Sequence, residues 1–219
     1  MNKPIKCLII DLDGTILNSG PDLLDSLNFT LKRHNLDFIP DNIIGSLVGG
    51  GAKAMIEKSF NYLKKNLNEY DIELMINDFL KFYYDNCSNK STIYPTVKTT
   101  LKILKQKFKL CICTNKRQNL TEKIIYEFGI DKYFDLVLGS SNNLKLKPDT
   151  EMLNYILRKL ILDPSECLMI GDSKNDIIPA NKLGIKSIFV TYGYGRLTPD
   201  SIPDYEIDKF IKIKEILTS

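Results

Sequence analysis

The sequence predicts an α/β fold, a Rossmann-like three-layer core with a central parallel sheet, interrupted after its first strand by an inserted all-helical domain. Three observations predict it. Leu8-Ile9-Ile10 is apolar without a break, as a strand buried on both faces must be. From Pro21 to about Lys90 apolar residues recur only at helical spacing. From Tyr94 onward, helices and short apolar runs alternate, the pattern of a parallel sheet covered on both faces. The expected boundaries are 1–16 and 91–219 for the core and 17–90 for the helical insertion.

In chain order, the first strand ends at Asp11-Leu12-Asp13-Gly14. The first inserted helix runs from about Pro21, a residue suited to a first helical turn, to Leu36. A short helix over about Asp41–Val48 is broken by Gly49-Gly50-Gly51. Two more follow, about Ala52–Lys65 and Glu69–Asp85; the last has its apolar stripe at Leu74, Phe79, Leu80 and Tyr83. In the core, strands are expected at Lys109–Cys113, Leu136–Gly139, Cys167–Ile170 and Ser187–Val190. Helices fill the gaps, at about Val97–Gln106, Leu120–Phe128, Glu151–Leu160 and Asp176–Leu183, with Gly129 and Gly184 as helix stops.

Composition narrows the function. The 219 residues suit one domain or a core with a smaller insertion, and 43% apolar content is ordinary for a globular protein. A net charge of +3, with lysine far outnumbering arginine, argues against nucleic acid. No apolar stretch is long enough to span a membrane. The five cysteines, odd in number and without a framework spacing, argue against a disulfide-built secreted protein. Met1-Asn2-Lys3-Pro4 leads straight into the first strand, leaving no room for a signal peptide. A cytoplasmic protein, monomer or homodimer, is expected.

Polar clusters stand where four strands should end. Asp11 and Asp13 fall on one side of the chain by strand alternation, and two carboxylates held together call for a cation, a shared proton or a phosphoryl group. An Asp-Asp-Gly turn is the plainer alternative. Gly14 would let the amides around Thr15 face an anion. Thr114-Asn115 could bind a phosphate oxygen or cap the next helix. Lys147, held extended by Pro148, could neutralise a carboxylate and a phosphate, or lie solvated in a loop. Asp172 and Asp176 suit magnesium, or a turn in which Asp176 caps a helix. Four carboxylates against one lysine would repel strongly, by about 4 kcal/mol per pair at 4 Å and an effective dielectric of about 20, which favours a divalent cation.

Asp11-Leu12-Asp13-Gly14-Thr15, Thr114, Lys147 and Asp172/Asp176 resemble, in residue type and order, the four motifs of the haloacid dehalogenase-like phosphatases. The resemblance implies that Asp11 attacks phosphorus and that Asp13 serves as acid and base. It implies that Thr114, Asn115 and Lys147 bind the phosphoryl group. Asp11, Asp13 (through its carbonyl) and Asp172 would hold Mg2+, with Asp176 behind them. Dehalogenases of the family lack the second aspartate, so carbon–halogen cleavage is not expected. The helical insertion resembles the family's type C1 cap, with Gly50 and Lys53 as candidate substrate contacts, although Gly49–Gly51 could equally be a flexible turn. Asn18-Ser19 resembles an Asp-Ser pair with the acid replaced. His34 is expected to be exposed and without a role. Gly14-Thr15 through Asp22-Leu23, Val48 to Gly51, Thr191 to Gly195 and Pro203-Asp204-Tyr205 look most like bacterial phosphoglycolate phosphatases. The expected partner is therefore a small phosphorylated metabolite. A nucleotidase or pyrophosphatase of the same family, a sugar-phosphate mutase, and a non-catalytic phospho-ligand-binding module are the alternatives.

Overall fold

The computed structural model describes residues 3–141 and 143–218, apart from the side chain of Glu69. In chain order the elements are β1 (Cys7–Ile10), β2 (Leu17–Asn18), α1 (Gly20–Arg33), α2 (Ile44–Leu47), α3 (Gly51–Leu63), α4 (Ile72–Asn86), β3 (Thr92–Ile93), α5 (Val97–Leu104), β4 (Lys109–Arg117), α6 (Gln118–Glu127), β5 (Leu136–Ser140), α7 (Glu151–Leu160), β6 (Cys167–Gly171), α8 (Lys174–Leu183), β7 (Lys186–Val190), β8 (Tyr205–Ile207) and α9 (Ile213–Ile216). The chain divides into two compact units, one of residues 1–18 and 93–219, the other of residues 19–92. Among the described residues no helix is long and apolar enough to cross a membrane.

The first unit is built on a parallel six-stranded sheet of the described residues, in the order β5-β4-β1-β6-β7-β8. All four residues of β1 are inaccessible to solvent, which explains its unbroken apolar run. Strand order runs from β1 outward in two directions, and ligands of such sheets bind beyond the carboxyl ends at that reversal. Asp11 and Asp172 stand just past those ends, and Thr114 lies in the second half of β4. Three thiols meet in the core: Cys7 lies opposite Cys167 in register, and its Sγ is 3.6 Å from that of Cys111. All the cysteines are buried and free.

Several details differ from the sequence expectation, among them the short elements β2, β3 and α9, which it did not place. β4 runs on to Arg117, with its pairing to β5 shifting register between Cys113 and Arg117; such irregularities re-aim side chains at a sheet rim. α8 starts two residues early because Ser173 and Asp176 form a reciprocal capping box at its first turn. β8 was not expected. Its three residues alternate too briefly to signal a strand, and Asp204 secures its start by accepting from Ser187 N at 2.8 Å.

The second unit is helical. α1 buries Leu23, Leu24, Leu27 and Leu31, and α4 buries Met75, Ile76, Phe79 and Tyr83 at the same spacing. Leu74, expected in the α4 stripe, is exposed instead; its N–H is taken by the N-cap side chain of Asp71. Phe29 and Phe82 stack at 4.2 Å between ring centroids. Asp22 is a buried carboxylate, satisfied by Lys90 N–H and by the N–H and hydroxyl of Ser91. His34 is half-buried, not exposed: its Nε2 lies 3.2 Å from Asp78, which also pairs with Arg33. Gly50 has φ of +85° just before α3, and Lys53 is exposed on that helix. Lys58 secures the glycine turn by donating to the carbonyl of Leu47 at 3.1 Å.

Candidate active site

Asp11 follows directly on β1 and extends its ladder, donating its N–H to Ile170 O at 2.9 Å. Its side chain is buried in the first unit. Gly14 turns the chain with φ of +85°, and a Cβ there would stand 2.2 Å from Asp172 Oδ2. The N–H groups of Thr15, Ile16 and Leu17 all point to Leu12 O, at 3.3, 2.9 and 2.9 Å. They close a turn and do not present the anion nest that the glycine suggested.

At the end of β6, Asp172 Oδ2 accepts from Tyr194 N at 2.7 Å and Gly195 N at 3.0 Å. This close approach requires Gly193, where a Cβ would lie 2.2 Å from the Asp172 Cβ. The tyrosines of the same loop reach back to the first motif: Tyr192 donates to Thr15 O at 2.9 Å, and Tyr194 donates to Asn18 Oδ1. The residue standing in place of an acid at position 18 is thus the acceptor of a phenol.

Asp176 divides its carboxylate. Oδ2 accepts from Ser173 N (3.1 Å) and Ser173 Oγ (2.9 Å), closing the capping box, while Oδ1 lies 2.5 Å from Lys147 Nζ. Lys147 is buried and also donates to Asp11 Oδ1 at 2.9 Å and Cys113 O at 2.5 Å. Asn115 positions this lysine: its side-chain amide donates to Lys147 O at 2.8 Å and accepts from Lys147 N at 3.0 Å. Both ends of the amide are therefore engaged with backbone. Thr114 is buried, and its hydroxyl accepts from Lys116 N at 3.3 Å. Lys116 brings a second buried ammonium, 3.0 Å from Asp13 Oδ2.

Carboxylate oxygens of Asp11, Asp172 and Asp176 lie within 4.8 Å of one another. A family model described as haloacid dehalogenase-like hydrolase matches residues 8–190. The chain belongs to the haloacid dehalogenase-like hydrolases. A phosphoglycolate phosphatase of Haemophilus influenzae is 36% identical over 99% of this chain and 100% of its own length. One of Pasteurella multocida is 36% identical over 97% of this chain and 98% of its own. A crystal structure from Haemophilus somnus, described as a predicted phosphoglycolate phosphatase, is 35% identical with a TM-score of 0.89, covering 97% of both chains. End-to-end relatives of that kind make this hydrolase a phosphatase.

Electrostatics in the hydrolase site are those of crowded anions. Burial, then the fields of Asp176 and Asp172 against the opposing Lys147, pushes the Asp11 carboxyl up to about 8. Burial and Asp176 push Asp172 up to about 7 against the two loop amides. Burial alone would lower Lys147, but Asp11 and Asp176 outweigh it and hold the ammonium firmly charged. Counted fully ionised, the four aspartates exceed the two lysines by two charges, the charge of one divalent ion.

The structure thus brings Asp11, Asp172, Asp176 and Lys147 into one cluster, with Asp13 tied to Lys116 and Thr114 beside the latter. Gly50 and Lys53 belong to the other unit. The sequence reading missed Lys116. Its signal was alternation: a lysine two residues past Thr114 falls on the same side of an extending strand.

Proposed function

We propose that the chain hydrolyses a small phosphomonoester, 2-phosphoglycolate by preference, through an aspartyl-phosphate on Asp11 in a magnesium-dependent reaction. The observation that carries this reading is the buried contact of Lys147 Nζ with Asp11 Oδ1 at 2.9 Å, inside a carboxylate cluster at the sheet's carboxyl edge. A lysine so placed keeps Asp11 aimed, and screens the carboxylate from an incoming dianion. The substrate preference is supported by the full-length relatives of that name.

The donor set fits Mg2+: all oxygen, anionic, and overcharged by two. Asp11, Asp172 and the Asp13 carbonyl would hold the ion, with Asp176 behind. When bound, it neutralises the excess carboxylate charge and the charge developing on the phosphoryl group.

In the chemistry proposed for these residues, an Asp11 oxygen forms a bond to phosphorus as the ester P–O bond breaks. Asp13 gives its proton to the departing alcohol oxygen, then takes one from the water that attacks the acyl phosphate. Inorganic phosphate leaves and Asp11 is restored. Thr114 holds a phosphoryl oxygen, Lys147 binds the phosphoryl group through its charge while it keeps Asp11 aimed, and Asn115 acts by fixing the Lys147 backbone. The helical unit of residues 19–92 serves as the cap, with Gly50 and Lys53 as its candidate substrate contacts. The free thiols suit a reducing, cytoplasmic setting.

Phosphate release from a panel of phosphomonoesters, with and without magnesium, tests the proposal. The expected result is magnesium-dependent release, greatest with phosphoglycolate, that Asp11→Asn lowers about a thousandfold or more because no acyl phosphate can form. Asp13→Asn should cost about 10²- to 10⁴-fold, the range of general acid–base catalysis. Near-normal turnover by Asp11→Asn would falsify the nucleophile assignment.

A further inference from the structure

Lys116 is a buried cation that the proposed chemistry leaves without a task. It stands on the last stretch of β4, past the register shift, where its side chain is 3% exposed. Its Nζ lies 3.0 Å from Asp13 Oδ2, and its own N–H is anchored to the Thr114 hydroxyl at 3.3 Å. The next carbonyl along, that of Arg117, accepts from the Thr121 hydroxyl of α6 at 2.9 Å, and a Cβ at Gly139 would meet the Lys116 carbonyl at 2.8 Å. The backbone around Lys116 is thus tied to Thr114 and to α6 and packed closely against β5. Lysine is rarely this buried, and desolvating an ammonium is costly without a specific partner.

Asp13 is the less buried member of the pair, its side chain 17% exposed. An aspartate has two χ angles, and a proton donor must hold its oxygen within hydrogen-bond reach of the leaving atom. We infer that Lys116 is a positioning residue, which fixes the Asp13 side chain in the orientation from which it protonates the departing alcohol. The inference rests on the phosphatase reading and adds a residue to it. A misplacement of about 1 Å can cost about a hundredfold in rate, so a fixed carboxylate matters.

The consequence depends on the leaving group. An alkoxide is a poor leaving group and needs its proton as the P–O bond breaks, whereas a nitrophenolate departs without one. Only the first reaction feels the orientation of Asp13 before the acyl phosphate forms, and kcat/KM reports on that half of the cycle.

The experiment measures kcat/KM of the full chain and of Lys116→Met for 2-phosphoglycolate, ethyl phosphate and p-nitrophenyl phosphate, with magnesium present. Asp13→Asn serves as the reference pattern. The expected result is that Lys116→Met lowers the ratio of ethyl to nitrophenyl kcat/KM by about 30-fold or more, in the same direction as Asp13→Asn. The nitrophenyl reaction also reports whether the variant has folded. Equal losses on all three esters would make Lys116 a purely structural cation and overturn the inference, as would no loss on any. A loss on phosphoglycolate alone would place Lys116 on the substrate carboxylate, which also overturns it. If the unaltered chain hydrolyses none of the esters, the phosphatase reading itself fails, and this inference falls with it.

Discussion

Asp176 shows how one side chain can satisfy two explanations at once. One oxygen closes the capping box of α8, and the other meets Lys147, so helix cap and site residue are the same carboxylate. The crowding of Asp176, Asp172 and Asp11 has a measurable sign. Without metal, Asp11 and Asp172 bind protons more tightly folded than unfolded, being raised from 3.8 to about 8 and about 7. Their contribution to stability is therefore greatest in acid and declines as pH rises across that window. Magnesium bound as proposed would offset the repulsion and compete with the protons. We expect the rise in Tm on adding magnesium to be larger at pH 8 than at pH 5, as read by thermal denaturation. An equal rise at both would contradict the assignment of Asp11 and Asp172 to the ion. Gly193→Ala should abolish most of that rise, since its Cβ would displace the Asp172 side chain from 2.2 Å away.

Elements were legible in the sequence where burial is two-sided. β1 and β6 announce themselves because every residue is apolar, and α7 begins and ends where its periodicity does. α4 was misread in part because an exposed leucine at position 74 carries the same hydropathy as a buried one. The engagement of Asn115 with Lys147 had no local signal: the partners are 32 residues apart. The pairing of Lys116 with Asp13 likewise depends on where an irregular strand end aims a side chain. Two substitutions test the elements themselves. The Thr100 hydroxyl on α5 is fully buried with no hydrogen-bond partner among the described residues. Thr100→Val should therefore stabilise the fold by about 1 kcal/mol, raising Tm by about 2–4 °C. Asp135 ties the start of β5 to β4, accepting from Leu110 N at 2.9 Å and Lys105 Nζ at 2.6 Å. Burial alone would raise its carboxyl, but those bonds outweigh burial and hold it below the ordinary value. Its contribution is present at neutral pH and is lost as pH falls through the depressed value. Asp135→Asn should then lower Tm by a few degrees at pH 7, with a cost of about 1 kcal/mol, and by little or nothing in strong acid.

At the scale of the whole molecule, the first unit carries the entire carboxylate cluster and both buried lysines. Within it the strand leading out and the segment leading back are already joined, Tyr94 N donating to Ile16 O at 3.1 Å. A chain in which a short Gly-Ser linker replaces residues 19–92 should consequently give one cooperative melt and keep its response to magnesium. A broad, non-cooperative transition by circular dichroism would show that the sheet unit needs the helices to fold.

The buried thiols offer a second view of the same architecture. Cys7, Cys111, Cys113 and Cys167 line the strands of the first unit, whereas Cys87 ends α4 in the second. Burial pushes the Cys113 thiol up to about 12, and Cys7 and Cys167 are raised further still by their contacts within the core. All five are buried, so none is open to a reagent while the fold is closed. An alkylating reagent would thus reach each cysteine only during an opening excursion of the unit that shelters it. Residue-resolved mass spectrometry of the labelled chain would read two clocks from one sample, Cys87 timing the helices and the strand cysteines timing the sheet.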